Sequence, residues 1–341
     1  MEKAETGALI IIFKGASIII DKWGRQIDYL RISVTDRCNL RCTYCMPKDG
    51  IKCVPKEELL TFEEMFRISK IASEIGISKI RITGGEPLVR EGIIDFIRQL
   101  KSLPKIKEVC ITTNGIYLEE YLDDLISAGL DRVNISLDTM KEDVFKAITI
   151  SGDLKKVLSG IEKSLYKGLK VKLNTVIIPG LNDTEIMDFV KLTDEKPLDV
   201  RFIELMPIGE GKKYTSIKSD EIKEIIVKNR KLIPSVSTNK QDGPAAYYKT
   251  EKGIGRLGFI SAVSHSFCKE CNRIRLTSQG FFKQCLFLNS GKDLKKLIRN
   301  GITEVELKTT MEDIIMRKPL NHDLINDTAA NDSKFMNEIG G

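Results

Sequence analysis

Six short apolar segments, separated by amphipathic stretches, constrain the fold of this chain more than any other feature of its sequence. They are rich in Ile, Val and Leu, as β-strands buried on both faces are. They span residues 29–35, 79–83, 108–112, 132–137, 170–178 and 199–204. Helical patterns lie between them at 92–102, 118–128, 153–167 and 184–192, and Thr61 with Glu64 has the spacing of a capping box that opens one more helix. The alternation predicts an α/β fold with a parallel sheet.

The connections between these strands determine how the sheet curls. Right-handed crossovers would curl six β/α units into a full or partial TIM-type barrel, and a doubly wound open sheet is the alternative that periodicity leaves open. The alternation stops after Pro207, and residues 216–290 contain one helical pattern, at 219–228, followed by Gly-, Ser- and Cys-rich segments. We therefore expect a partial (β/α)6 barrel with a C-terminal subdomain over its mouth.

These patterns divide the chain into four predicted parts. They are an N-terminal extension at 1–20, the barrel at 21–215, the C-terminal subdomain at 216–320 and a polar tail at 321–341. The extension contains an apolar run at 8–20 that Lys14 and Gly15 interrupt. The run is too short to span a bilayer and predicts a buried or edge strand.

Polar and glycine residues recur where the predicted strands end. The sequences at five of these ends are Thr35-Asp-Arg-Cys38, Gly84-Gly-Glu-Pro87, Thr112-Thr-Asn-Gly115, Ser136-Leu-Asp138 and Glu204-Leu-Met-Pro207. Loops are commonly polar, so each sequence alone means little. Because parallel strands place their carboxyl ends at one edge, repetition at five ends predicts a shared pocket.

Composition narrows the chemistry available to that pocket. The 341 residues are 42% hydrophobic and 30% charged, which is enough apolar material for a core and excludes a disordered polymer. The net charge of +6 does not require nucleic-acid binding and suits anionic small molecules equally well. With only two histidines, His265 and His322, a multi-histidine metal site is excluded and a histidine base has little support.

Eight cysteines fall into two groups and two isolated positions. Because the sequence shows neither a secretory signal nor a membrane span, we expect a cytoplasmic protein whose thiols bind metal. The first group has the pattern Cys-x3-Cys-x2-Cys: Cys38, Cys42 and Cys45. Iron–sulfur clusters are normally held by four cysteines, so three leave one iron open, as in a reactive site. The alternative is that Cys53 is a fourth ligand, giving a closed zinc or ferredoxin-like site.

The first group resembles the radical S-adenosylmethionine (SAM) superfamily. The likeness depends on its spacing, on an aromatic residue before the last cysteine, and on Gly84-Gly-Glu-Pro87 after the second strand. The resemblance implies a 4Fe-4S cluster whose open iron is chelated by the amino and carboxylate groups of SAM. One electron then cleaves SAM to a 5′-deoxyadenosyl radical. We interpret the two glycines as room for the methionine end of SAM, since a residue without Cβ permits close approach.

The second group again contains three cysteines, in the pattern Cys-x2-Cys-x13-Cys: Cys268, Cys271 and Cys285. A zinc knuckle that recruits His265 or Cys110 is the alternative interpretation. Arg273 and Arg275 follow within the group, two residues apart on an extended segment, so both project to the same face. Their forked donors suit phosphate groups or a purine edge. Their position beside a metal site favours ligand binding over a solvated surface strand.

The two groups together, with Asn272-Arg-Ile-Arg275 and a terminal Gly340-Gly341, resemble the molybdenum cofactor biosynthesis protein A family of GTP 3′,8-cyclases. The likeness extends from residue 21 to the end. It implies that a second 4Fe-4S cluster binds the guanine base of GTP through its open iron. The radical abstracts the ribose 3′ hydrogen, and the carbon radical attacks C8 to give 3′,8-cyclo-7,8-dihydro-GTP. A downstream synthase that makes cyclic pyranopterin monophosphate, an electron donor and a homodimer are also implied.

The resemblance assigns roles to individual residues. Contacts to SAM fall on Tyr44, Gly85, Ser136 and Met206. Contacts to GTP fall on Arg31, Arg81, Thr112, Lys172, Arg273, Ile274 and Arg275. Catalytic assistance falls on Arg273, Arg275, Gly340 and Gly341, the last two at the end of a tail that folds back toward the site.

The strand sequences independently support an anion site in the barrel. Arg31, Arg81 and Lys172 lie inside apolar segments, where a cation is costly unless it faces an anion. The alternative is that each faces solvent on an edge strand, and this is improbable for three parallel strands. Two competing functions are a peptide-modifying radical SAM maturase and a metal-binding RNA-interaction protein. The second of these would show salt-sensitive RNA binding and closed metal sites.

Overall fold

The computed structural model describes residues 9–13, 16–235, 243–265, 267–321 and 335–339. The strands in these ranges are β1 (Leu9–Phe13), β2 (Ala16–Ile20), β3 (Tyr29–Ser33), β4 (Lys79–Thr83), β5 (Glu108–Thr113), β6 (Arg132–Ser136), β7 (Lys170–Val176), β8 (Asp199–Ile203), β9 (Leu232–Pro234), β10 (Ala246–Thr250), β11 (Arg256–Ile260), β12 (Arg273–Leu276), β13 (Phe281–Lys283) and β14 (Gly291–Asp293). The α-helices are α1 (Phe62–Ile75), α2 (Ile93–Lys101), α3 (Leu118–Ser127), α4 (Glu142–Thr149), α5 (Leu154–Tyr166), α6 (Ile186–Glu195), α7 (Ser219–Val227), α8 (Leu294–Arg299), α9 (Glu304–Met316) and α10 (Met336–Ile339).

The central sheet is a partial barrel. Strands β3 to β8 are parallel, and each pairs with the next strand of the chain. A doubly wound sheet would reverse direction at a switch point, whereas constant direction curls the sheet one way. The sheet is mixed and does not close, because it ends at β14 on one edge and β9 on the other. This confirms the predicted α/β partial barrel.

The C-terminal part of the chain lengthens the sheet at both edges. Strand β12 pairs in parallel with β3 and places Arg275 opposite Arg31. Strand β11 pairs in parallel with β8 and places Gly258 opposite Arg201. The antiparallel pairs β13–β14 and β9–β10 extend the two edges further. Strands β9 to β14 therefore belong to the same sheet as the barrel strands and form its outer strands.

The apolar run near the N-terminus forms a hairpin, so the prediction of a single strand is wrong. Strands β1 and β2 pair antiparallel in a separate two-stranded sheet, with Leu9 opposite Ile20. The interruption at residues 14–15 falls between them. Ile19 is fully buried, and the hairpin backbone packs on the end of α1 at Gly76, where a Cβ would lie 2.9 Å from Ser17 O. Gly76 also has φ +123°, which favours glycine.

Local sequence signals predict the helix starts well. Thr61 accepts from the Glu64 backbone N–H at 3.2 Å, and Glu64 accepts from the Thr61 N–H at 2.8 Å, as the predicted capping box requires. Helix α4 was not predicted from the sequence. None of the helices within the described ranges is both long enough and apolar enough to cross a membrane.

Candidate active site

A cavity of about 320 Å³ opens at the carboxyl ends of the barrel strands. It is lined by residues from all five strand-end sequences in which polar and glycine residues recur, including Gly85, Asn114, Asp138 and Met206. It is also lined by both cysteine groups, which we call the first thiol group (Cys38, Cys42 and Cys45) and the second thiol group (Cys268, Cys271 and Cys285). The structure therefore brings the predicted pocket and the two thiol groups together.

The first thiol group lies on the loop that follows β3. Cys45 N–H donates to Cys42 O at 2.8 Å, which forms a tight turn. Arg41 Nη1 donates to Cys38 O at 2.7 Å, and Leu40 N–H donates to Cys38 Sγ at 3.4 Å. These bonds hold the loop so that its three sulfurs border the cavity. Cys53 is exposed and does not line the cavity, so it stands apart from this group.

The double glycine after β4 packs against the cysteine loop. Gly85 N–H donates to Thr35 O at 2.7 Å, and a Cβ on Gly85 would lie 2.3 Å from Arg37 O. A Cβ on Gly84 would lie 2.7 Å from Thr35 O. The missing side chains thus make room for the backbone of the neighbouring loop. Both glycines also line the cavity, so our interpretation that they give SAM room to approach stays a prediction.

Glu86 fixes the double-glycine loop after β4 to the end of β5. Its buried carboxylate accepts from Leu88 N–H at 3.0 Å, Thr113 Oγ1 at 2.7 Å and Asn114 N–H at 2.7 Å. Burial raises the pKa of Glu86 to about 7, although these three hydrogen bonds oppose the rise. The carboxylate therefore joins the loop after β4 to the end of β5 and can gain a proton near neutral pH.

Tyr44 and Asp138 form a second buried connection at the first thiol group. Tyr44 OH donates to Asp138 Oδ2 at 2.5 Å, and Val176 N–H donates to Asp138 Oδ1 at 2.8 Å. Burial raises the pKa of Asp138 to about 6, while both hydrogen bonds lower it. The pair orients the aromatic ring that precedes Cys45.

The thiols of the first group strongly favour the protonated state. Burial raises the pKa of Cys38 to about 11 and that of Cys45 to about 12. Burial also raises the pKa of Cys42, and the neighbouring thiols and Asp138 add to the rise. No strong cationic compensation is built around these sulfurs in the described part of the chain. A cationic metal group that binds all three would supply it.

The second thiol group has cationic neighbours. Burial alone would raise the pKa of Cys271, but Lys318, Arg273 and Arg275 outweigh burial and lower it. Lys318 is 2% exposed and donates to Gln284 O at 2.7 Å, next to Cys285. The sequence analysis did not identify Lys318, because its approach to this group depends on the tertiary fold.

Arg25 joins the chain before the barrel to the second thiol group. It is ion-paired with Asp21 at 2.6 Å and donates to Cys268 O at 2.7 Å. It also donates to Pro319 O at 2.8 Å. Arg25 thereby holds the segment after α9 against the cavity, and it is another lining residue that the sequence analysis missed.

The cavity is strongly cationic. Among the described residues, its lining contains one carboxylate, Asp138, and eight cations: Arg25, Arg31, Lys79, Arg81, Arg201, Arg273, Arg275 and Lys318. Burial lowers the pKa of Arg31, and Arg81 and Arg275 contribute to this. Several buried Nε atoms have no hydrogen-bond acceptor: those of Arg31, Arg81, Arg201, Arg273 and Arg275. Such a set of donors suits a polyanionic ligand.

Two ion-paired triads form the floor of the barrel. Each places a carboxylate between two cations at 2.7–2.9 Å: Lys79–Glu108–Arg132 and Lys172–Asp199–Arg256. Lys79 also lines the cavity, whereas Lys172 donates to Tyr247 OH at 2.9 Å and does not line it. Lys172 is thus buried with Asp199 as its anionic partner, and its contact with GTP stays a prediction.

The other predicted site residues divide between the cavity and the rest of the molecule. Thr112, Ser136 and Met206 line the cavity together with Tyr44. The Ile274 side chain is fully buried in the main hydrophobic core, so only its backbone is available to a ligand. Two further predicted residues, Gly340 and Gly341, lie outside the described residues.

The thiols suit iron–sulfur clusters better than single metal ions. Six of the eight cysteines line one cavity, in two groups of three. Within the ranges that the structure describes, no three His, Cys, Asp or Glu side chains are grouped to hold one metal ion. His265 is exposed, and Cys110 lies at 3.0 Å from Glu108, so neither completes a zinc knuckle. Three thiolates per group is a donor set for a cluster with one open iron.

The chain matches two protein-family models in succession. The model described as "Radical SAM superfamily" matches residues 32–193, and the model described as "Molybdenum Cofactor Synthesis C" matches residues 198–324. The GTP 3′,8-cyclase of Clostridium perfringens (strain 13 / Type A) is 51% identical over 321 residues, 94% of this chain and 99% of that protein. That of Alkaliphilus oremlandii is 47% identical over 322 residues, 94% and 99% of the two chains. That of Petrotoga mobilis is 43% identical over 334 residues, 95% and 100%.

Solved structures support the fold independently. The crystal structure of Streptococcus suis SuiB bound to S-adenosylmethionine superposes with a TM-score of 0.59 at 16% identity. The superposition covers 81% of this chain and 65% of the SuiB chain, so this chain spans slightly less than two thirds of that protein. At this level of identity the likeness supports the partial-barrel architecture and nothing further.

Proposed function

This chain belongs to the radical SAM family of GTP 3′,8-cyclases, and we propose that it converts GTP to (8S)-3′,8-cyclo-7,8-dihydro-GTP, the first step of molybdenum cofactor biosynthesis. The enzyme is a lyase that uses SAM and two 4Fe-4S clusters. The observation that supports this most directly is the joint lining of one cavity by two groups of three cysteines and by eight cations. Family membership decides against the peptide-modifying maturase and the RNA-interaction protein.

The first thiol group would hold the cluster that binds SAM. When bound, that cluster supplies the electron that cleaves SAM to the 5′-deoxyadenosyl radical. The chain provides the surroundings: Tyr44, Gly85, Ser136 and Met206 line this part of the cavity. Glu86 and the Tyr44–Asp138 pair hold the loops in register. These residues would orient SAM and keep its reactive carbon beside GTP.

The second thiol group would hold the cluster that binds the guanine base. The family assignment gives GTP contacts to seven residues: Arg31, Arg81, Thr112, Lys172, Arg273, Ile274 and Arg275. Arg273 and Arg275 adjoin the thiols, and Arg31 and Arg81 present guanidinium donors from the barrel strands. Thr112 Oγ1 is buried without a hydrogen-bond partner and is available to the nucleotide. Ile274 would contact GTP through its backbone. Lys172 would act through the ion-paired triad that it forms with Asp199 and Arg256.

The wider context completes the proposal. The product passes to a synthase that makes cyclic pyranopterin monophosphate, and a separate reductant supplies electrons to the clusters. We propose a cytoplasmic homodimer with a barrel at 21–215, an auxiliary-cluster subdomain at 216–320 and a tail at 321–341. Gly340 and Gly341 would assist the reaction from the end of that tail, together with Arg273 and Arg275.

Anaerobic reconstitution followed by turnover with GTP and SAM tests this proposal. We expect 5′-deoxyadenosine and 3′,8-cyclo-7,8-dihydro-GTP to form together, as measured by liquid chromatography and mass spectrometry. Chemical analysis should give about eight iron and eight sulfide per chain, as two four-iron clusters require. Zinc in place of iron, or 5′-deoxyadenosine without a modified nucleotide, would reject the proposal.

A further inference from the structure

The short helix α10 lies at the cavity and contacts both thiol groups. Met336 packs in a small apolar cluster with Cys285 and Leu286, on the side of the second group. Asn337 lies on the side of the first group, where its backbone N–H hydrogen-bonds Cys45. Just before the helix, Phe335 packs closely on Gly209, where a Cβ would lie 2.8 Å from its ring. The helix therefore has a defined seat between the two groups.

The orientation of the Asn337 side chain is fixed by its surroundings. The residue is 3% exposed, and its Nδ2 donates to Asp36 O at 2.9 Å. A backbone carbonyl only accepts hydrogen bonds, so the amide nitrogen must face Asp36. The amide oxygen consequently points away from Asp36, and Asp36 is two residues before Cys38 in the sequence.

That oxygen has no partner of its own. Asn337 Oδ1 is buried and makes no hydrogen bond to any described residue, and Asn337 lines the cavity. Buried polar atoms without partners are rare, because each loses its hydration without compensation. At a cavity, the missing donor is most simply supplied by the molecule that binds there.

We propose that Asn337 is a further ligand-contacting residue, whose side-chain oxygen accepts a hydrogen bond from the molecule bound at the first thiol group. The inference rests on the proposed function, in which that molecule is SAM. SAM has an ammonium group, two ribose hydroxyls and an adenine amino group as donors, so the contact is chemically available. The helix thereby completes the SAM site with a side chain from a region remote in sequence.

Equilibrium binding of SAM to the reconstituted enzyme tests this contact. We expect Asn337→Ala to weaken SAM binding about tenfold, the effect of losing one hydrogen bond to a cationic ligand. The affinity for GTP should stay within about twofold of wild type. Asn337→Asp keeps an acceptor oxygen but loses the amide donor to Asp36 O, so it should bind SAM more tightly than Asn337→Ala and less tightly than wild type. Unchanged SAM affinity in Asn337→Ala, or equal losses in both variants, overturns the proposal.

Controls separate the contact from general damage to the site. Glu338→Gln changes the neighbouring residue of the same helix, and its SAM affinity should match wild type. Iron and sulfide content is measured for every variant. If Asn337→Ala loses iron, the two variants are compared at equal iron content: tighter SAM binding by Asn337→Asp supports the contact, and equal binding overturns it. A Cys42→Ser variant that binds SAM like wild type would instead reject the proposed function itself.

Discussion

Among the residues described around the first thiol group, two carboxylates, Glu86 and Asp138, face a single cation, Arg41. Around the second, the charged groups that set the pKa of Cys271 are all cations: Lys318, Arg273 and Arg275. Burial raises thiol pKa values in the first group, while the cations lower that of Cys271 in the second despite burial. Two groups with the same number of thiols therefore differ in the charge that surrounds them.

This difference matches the charges of the two proposed ligands. SAM carries a sulfonium and an ammonium, and a site with carboxylates and few cations tolerates that positive charge. GTP carries a triphosphate, and the buried guanidiniums of Arg273 and Arg275 suit it. The two sites would thus select their ligands by the sign of the charge around equivalent donor sets. Substitutions in one site should leave the function of the other measurable.

The largest expected effect comes from removing one thiol from each group. Cys42→Ser should reduce SAM cleavage to background, because the first cluster loses a ligand that the rest of the described chain does not replace. Cys271→Ser should retain cleavage of SAM to 5′-deoxyadenosine while losing cyclisation of GTP. Anaerobic assays of both products make the measurement.

A matched control tests whether these effects are specific. Cys53→Ser removes an exposed thiol eight residues after Cys45 and should leave both products at wild-type levels. If Cys271→Ser abolished SAM cleavage as completely as Cys42→Ser does, the two groups would not be functionally separate.

The next largest effect tests the cations of the second site. Arg273→Ala removes a guanidinium beside the second thiol group and should weaken GTP binding by about 10- to 100-fold, the range for a charge-assisted hydrogen bond. SAM cleavage without GTP should persist. Arg317→Ala serves as the control, because Arg317 is exposed and directly precedes the cavity residue Lys318 in the sequence. Undiminished cyclisation by Arg273→Ala would show that the GTP site is elsewhere.

A smaller effect is expected from Glu86, the buried carboxylic acid at the first thiol group. Burial raises the pKa of Glu86 to about 7, from 4.5. An acid with a raised folded-state pKa binds its proton more tightly when folded, so its contribution to stability is lost as pH rises from about 4.5 to 7. The loss is of order 3 kcal/mol. Glu86→Gln should remove this part of the pH dependence, as measured by thermal unfolding at pH 5 and pH 8.

The exposed Glu91 lies on the same loop and provides the comparison for Glu86. Glu91→Gln should keep the wild-type pH dependence. If stability changed with pH equally in wild type and in Glu86→Gln, Glu86 would have to stay ionised between pH 5 and pH 8.

The smallest expected effect concerns the Tyr44–Asp138 pair. Tyr44→Phe removes one buried hydrogen bond and should lower the free energy of unfolding by about 1 kcal/mol. It should weaken SAM binding severalfold and leave GTP binding unchanged, because the pair lies at the first site. Thermal unfolding and two binding titrations check this. A larger effect on GTP than on SAM would contradict the separation of the two sites.

Features encoded locally in the sequence were predictable. The six barrel strands, the Thr61–Glu64 capping box and both thiol groups follow from short patterns, because neighbouring residues determine them. The cations inside apolar strands also predicted a charged interior. Family membership then followed from the two cysteine patterns together, and the relatives confirm it.

Features that depend on distant contacts were not predictable from the sequence. Arg25 and Pro319 meet across 294 residues, and Asn337 reaches Asp36 across 301. Strand β12 likewise pairs with β3, which is distant in the sequence, and no local pattern specifies that pairing. The packing of the double glycine on the cysteine loop was not predicted either, because the two loops are distant in the sequence. Periodicity identifies elements, but it does not identify which elements meet.

The ion-paired triads give the floor of the barrel a net positive charge. Lys79–Glu108–Arg132 and Lys172–Asp199–Arg256 each combine one carboxylate with two cations. A negatively charged molecule in the barrel is therefore attracted from below as well as by the arginines of the cavity wall.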